Sequence, residues 1–81
     1  MRIPRQVTGN QLAKALRVLG YVETRQTGSH IRLRTEINGT HYVTVPNHYP
    51  LKVGTLLNGV LKPVAAHHRL KVEEILAKLD L

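Results

Sequence analysis

The chain contains no cysteine and only five carboxylate side chains among its 81 residues. The first absence excludes disulfides and cysteine-containing zinc sites, and leaves the redox compartment undetermined. The second bears on catalysis. A two-metal nuclease needs several converging carboxylates, whereas Glu23, Glu36, Glu73, Glu74 and Asp80 are scattered over separate segments, so no catalytic metal is expected. His67 and His68 are adjacent and diverge on a turn or helix, which makes a zinc site equally unexpected. The glycines form no phosphate-cradling loop pattern, and no cofactor is implied. Long hydrophobic runs are missing too. No stretch approaches the roughly 20 apolar residues that span a bilayer, and the opening Met1-Arg2-Ile3-Pro4-Arg5-Gln6-Val7 lacks an apolar leader segment. The expectation is a soluble, cytoplasmic protein with no membrane partner, and 81 residues leave room for one domain, 1–81, with one core.

What is abundant is positive charge. Twelve Lys and Arg against five Asp and Glu give +7. Residues 1–62 hold nine basic and two acidic side chains, while residues 63–81 hold three of each, so the whole excess lies on the first part of the chain. That asymmetry favours a polyanion or an acidic protein as partner, over the blander reading of mere solubility.

Thr8 and Gln11 have the spacing of a capping box, and Leu12, Ala15, Leu16 and Leu19 form a helical stripe that Gly20 ends, predicting a helix over 8–19. Residues 21–25 are β-prone and 26–28 read as a turn. A second strand over about 30–36 alternates Ile31, Leu33 and Thr35 against His30, Arg32, Arg34 and Glu36. Asn38-Gly39 marks a hairpin into a third strand over 40–45. A two-residue Asn-Gly loop would mix polar and apolar side chains on both faces. A three-residue loop, 37–39, with Gly39 left-handed, instead pairs Ile31 with Val45 and Leu33 with Val43. The second register is predicted, and it gathers His30, Arg32, Arg34, Tyr42 and Thr44 on the wet face. Leu56, Leu57, Val60 and Leu61 predict a helix over about 52–62, weakened by Gly59 and ended by Pro63. A short amphipathic helix follows over about 70–79. This α-β-β-β-α order with an extra C-terminal helix predicts an α+β fold: a three-stranded antiparallel sheet with helices on one face.

The run Arg25-Gln26-Thr27-Gly28-Ser29-His30, followed by Ile31-Arg32-Leu33-Arg34, sets one histidine at the mouth of a strand whose other outward side chains are arginines. Histidine exchanges protons near neutral pH, and arginine grips phosphate through a planar fork of donors. The combination points to chemistry on a polyphosphate, RNA above all. Ser29 and His30 are neighbours in extended chain and point to opposite faces, so they form no serine–histidine dyad.

The order of elements, Arg-x-x-Gly-Ser-His at 25–30, Val45-Pro46-x-His48 after the third strand, and Lys52-x-Gly54-Thr55-Leu56 opening the second helix together resemble the HicA family of bacterial toxins. The resemblance covers about 8–66, the core of the domain, and leaves the helix at 70–79 as an addition. Asn58-Gly59, a poor helix dipeptide, departs from what the second helix would be expected to carry. The resemblance implies a fold like that of double-stranded-RNA-binding domains, endoribonuclease activity on mRNA, and a HicB antitoxin partner. The family's catalytic histidine falls on His30.

RNA cleavage needs a base for the 2′-hydroxyl proton, positive charge over the developing phosphorane, and an acid for the leaving 5′-oxygen. His30 is the candidate acid or base and His48 a candidate second proton-transfer group. Arg25, Arg32, Arg34 and Lys52 are candidate phosphate holders, and Tyr42 a candidate base-stacking residue. Each has a plainer alternative: a histidine at a strand start is more often solvated than catalytic, His48 could serve only the loop, and arginines can simply keep a sheet face soluble. Two rivals to the ribonuclease stand at this point. One is a non-catalytic RNA-binding module using the same face, the other a subunit whose charge docks an acidic protein.

Overall fold

The computed structural model describes residues 3–4, 6–47 and 51–81. The Thr8 N–H donates to Gln11 Oε1 at 2.9 Å and the Gln11 N–H donates to Thr8 Oγ1 at 3.0 Å, completing the capping box. Helix α1, Gly9–Ala15, follows and tightens into a 3₁₀ turn, Leu16–Leu19, before Gly20 stops it at φ 84°. The expected helix over 8–19 is therefore α-helical only as far as Ala15. Its start depends on Gly9. A Cβ there would collide with the Pro46 carbonyl oxygen and with the Asn47 Cα, so the first turn of α1 lies directly on the end of the third strand.

Strands β1 (Val22–Thr27), β2 (His30–Thr35) and β3 (His41–Pro46) form one antiparallel sheet in the order β1-β2-β3. The turn expected over 26–28 is corrected. Gln26 and Thr27 belong to β1, Thr27 lies opposite His30, and Gly28 and Ser29 alone make the connection. A two-residue hairpin turn with glycine at its first position and φ 56° matches the twist of the flanking strands, which explains why the strand runs on. The second hairpin has the predicted register: Ile31 pairs with Val45 and Leu33 with Val43, and Asn38 and Gly39 take positive φ in the loop. Burial alternates strictly along β2, with Ile31, Leu33 and Thr35 inside. A slip of one residue would turn that whole set to solvent. Burying Ile31 or Val45 completely contributes roughly 1.5–3 kcal/mol each.

The second helical segment departs most from expectation. Pro63 does not end it. A π-helical stretch, Thr55–Leu61, runs without a break into helix α2, Lys62–His68. In an α-helix the Pro63 ring would press on the carbonyl of residue 59 and leave it without a donor. Here the Lys62 N–H bonds to the Leu57 oxygen, five residues back, so the widened turn just before Pro63 relieves that clash. Asn58-Gly59, unsuited to an α-helix, sits within this stretch. Arg69 then takes a left-handed conformation, and helix α3, Val72–Leu79, begins two residues later than expected, its Lys71 N–H held by Glu74 Oε1 at 3.0 Å.

Leu12, Leu16, Leu56, Val60, Val64 and Ile75 join the inner residues of β2 and β3 in one buried cluster. The helices thus cover one face of the sheet, an α+β arrangement of the kind seen in double-stranded-RNA-binding domains.

Candidate nucleic-acid interface

The uncovered face of the sheet can be read as three cross-strand rows. Thr27, His30 and Pro46 form the first, Arg25, Arg32 and Thr44 the second, and Val22, Arg34 and Tyr42 the third. The placement of Arg25 depends on an irregularity in β1. Strict alternation would put Arg25 on the same side as Glu23, which faces Lys14 and Arg17 of the helical layer in a small cleft. Instead Glu23 pairs with Leu33 and Arg25 with Arg32, leaving Thr24 as an extra residue, a β-bulge. Thr24 Oγ1 donates to the Arg32 carbonyl at 3.2 Å and holds it. The bulge reverses the parity of the strand, and Arg25 and Thr27 arrive on the open face. Bulges commonly re-aim a side chain in this way next to functional sites.

Arg25, Thr27, His30, Arg32 and Thr44 consequently line one open depression of about 240 Å³. It brings together an exposed imidazole, two guanidinium groups and two hydroxyls. Such a set can hold a phosphate diester and exchange a proton with it. The hairpin turn that carries His30 is tied down on its other side, where the Asn47 N–H donates to the Ser29 carbonyl at 2.5 Å.

The remaining candidates are placed differently. The Arg34 Nε donates to Glu36 Oε1 at 3.0 Å, with both side chains exposed, and Arg34 does not line the depression. The Arg32 guanidinium carbon lies 4.6 Å from the centroid of the Tyr42 ring, a cation–π contact that links the second row to the third. Lys52 is exposed just before the second helical segment and does not line the depression either. His48 lies outside the described residues. Thr27 is a lining residue that sequence reasoning missed. It could have been found only by knowing that the turn is two residues long.

A second group of chemically active side chains, also missed, lies where β1, β3 and α2 meet. Buried Tyr21 places its hydroxyl 2.7 Å from His41 Nδ1 and 3.3 Å from His68 Nε2. His41 stacks on His67 with centroids 4.4 Å apart, and His67 Nε2–H is shared between the carbonyls of Ile37 and Gly39 at 2.9 and 3.0 Å. Burial, with the neighbouring His67 as a lesser cause, lowers the pKa of His41. Burial also lowers that of His68, helped by His67 and His41. Burial alone pushes the Tyr21 phenol up to about 12. Among the described residues no group of three or more His, Asp or Glu has the arrangement of a metal site. The three imidazoles bind one another, the phenol and backbone carbonyls instead. No helix among the described residues is long and apolar enough to cross a membrane.

No curated protein and no solved structure matches the chain. The family model for the HicA toxin of bacterial toxin-antitoxin systems matches residues 9–62, a span that includes the bulge, the depression and the π-helical stretch. That span is more than half of the chain, and the protein belongs to the HicA toxin family.

Proposed function

We propose that this toxin is a metal-independent endoribonuclease that cleaves mRNA with His30 as its catalytic histidine. The observation that carries the reading is the depression itself, in which His30 shares one open cavity with Arg25 and Arg32. In the proposed step His30 takes the 2′-hydroxyl proton as the 2′-oxygen attacks the adjacent phosphorus. The P–O5′ bond breaks, leaving a 2′,3′-cyclic phosphate, and the departing 5′-oxygen takes a proton, for which His48 is the candidate donor. Arg25 and Arg32, with the hydroxyls of Thr27 and Thr44, stabilise the charge that builds on the phosphorane oxygens. Lys52 and Tyr42 lie beyond the depression and serve RNA binding, to which Arg34, paired with Glu36, contributes less. The protein acts in the cytoplasm as one domain, and its antitoxin is a HicB-like protein that covers His30 and presents carboxylates to Arg25 and Arg32.

His30→Gln tests the assignment. His30 is exposed on the open face, so the substitution buries nothing new and should change stability by no more than roughly 0.5 kcal/mol. RNA affinity should fall slightly, while cleavage and growth arrest fall by on the order of a hundredfold or more, the scale of a lost general acid or base. A folded variant that binds RNA and cuts at the parent rate would refute the catalytic role. A parent protein that binds RNA in a salt-dependent way but never cuts it would favour a binding module.

A further inference from the structure

We infer that the third row of the open face, Tyr42 with Val22, is a stacking platform for one unpaired base, which makes single-stranded RNA the substrate and Tyr42 a specificity residue. The inference rests on the ribonuclease reading and adds to it the form of RNA and the place where a base is read.

Three observations carry it. Tyr42 and Val22 are 45% and 55% exposed, large side chains left on a face that, Pro46 aside, is polar and cationic. They flank Arg34 in one cross-strand row. The Arg34 Nε is turned to Glu36, so a carboxylate offsets the cation of this row and the row is poorly suited to phosphate. The Tyr42 ring is meanwhile oriented by Arg32, which also lines the depression. Along β2 the rows are two residues apart, so the third lies about 13 Å from His30. A single strand crossing the face would meet proton transfer in the first row, phosphate contacts in the second and an aromatic surface in the third. Every base has a π-face that an exposed aromatic ring can take up. In a duplex those faces are already stacked on neighbouring base pairs and cannot reach a ring on a sheet, whereas unpaired bases splay out and stack on aromatic or guanidinium planes. The likeness of the fold to double-stranded-RNA-binding domains would favour duplex RNA, and the aromatic row on the open face argues against it.

The test uses the purified full chain and a short mixed-sequence RNA, presented single-stranded, annealed to its complement, and as a set of single strands each lacking one base near the cleaved bond. The parent should cut the single strand much faster than the duplex. Removing one particular base should weaken binding by roughly tenfold, and Tyr42→Ala should weaken binding of the intact strand by a similar factor. The two losses should not add when that RNA is given to Tyr42→Ala, because both remove the same contact. Tyr42→Phe, which keeps the ring, should recover most of the loss. Additive losses, equal cutting of duplex and single strand, or a Tyr42→Phe as weak as Tyr42→Ala would each overturn the platform while leaving the ribonuclease reading intact. A parent that neither binds nor cuts any of these RNAs would overturn both.

Discussion

The hydroxyl of Tyr21 lies 2.7 Å from Nδ1 of His41, and the same hydroxyl reaches His68 Nε2 at 3.3 Å. The phenol has one proton, so Tyr21 donates to one imidazole, whose ring must be neutral to accept it, and accepts from the other, whose charged form burial disfavours. The folded state therefore resists protonation of His41 and His68, whose pKa values burial lowers. The unfolded chain takes up protons first as pH falls below the ordinary histidine value near 6.5. Stability is thus full above about pH 6.5 and should decline below it. At the alkaline end the sign is opposite: the phenol, raised to about 12, holds its proton in the folded state after an unfolded tyrosine has begun to lose its own near 10. Stability should fall again between those values. Thermal unfolding measured across pH should give a plateau with both edges, and a melting temperature indifferent to pH between 7 and 5 would contradict this account.

Removing only the hydroxyl tests the same contact. In Tyr21→Phe the ring still fills the core, but buried His68 loses its hydroxyl contact and half-buried His41 loses its short one. The cost should be about 1–3 kcal/mol, the penalty for leaving a buried polar group without a partner. Denaturant unfolding measures it, and the alkaline edge should disappear in this variant. Because Tyr21 is buried and does not line the depression, RNA cleavage by the folded fraction should hold.

Where alternation met a half-buried strand, the sequence was readable. β2 and β3 each have one face in the core, so a single register satisfied Ile31, Leu33, Val43 and Val45 together, and the wet-face set of His30, Arg32, Arg34, Tyr42 and Thr44 followed from it. β1 gave no such purchase. All six of its residues are exposed, and no hydrophobic pattern marks Thr24 as the bulge that turns Arg25 to the open face. Pro63 misled for a different reason: the rule that proline stops a helix assumes α-geometry on the preceding turn, which the π-helical stretch suspends. The histidine cluster depends on partners 20 and 47 residues apart, beyond any local pattern.

Gly9 should be sensitive beyond its size. A methyl group there meets backbone, the Pro46 carbonyl and the Asn47 Cα, which cannot rotate away as a side chain could. Gly9→Ala should cost about 1–3 kcal/mol, the usual range for overpacking a tight site. The displaced residues include the strand partner of His30 and the donor to the Ser29 carbonyl, so cleavage by the folded protein should fall as well. Parallel melting and cleavage measurements would show it, and a variant as stable as the parent would mean that α1 does not press on the end of β3.

The three arginines of the open face should separate by salt dependence. Arg25 and Arg32 line the depression with no carboxylate bound to either among the described residues, while the Arg34 Nε is engaged by Glu36. A side chain that neutralises one phosphate contributes close to one unit to the slope of log affinity against log salt, slightly less on a single strand. Arg25→Ala and Arg32→Ala should each flatten that slope by about 0.7 and weaken RNA binding across all sequences. Arg34→Ala should change both far less, since Glu36 already offsets much of its charge. Arg32→Ala carries an extra consequence, because it also removes the cation held over the Tyr42 ring. Its loss in affinity should therefore exceed that of Arg25→Ala by more than the common slope explains. Titrations of one RNA at several salt concentrations decide the matter, and an Arg34→Ala slope as shallow as that of Arg25→Ala would show that the pair with Glu36 opens when RNA arrives.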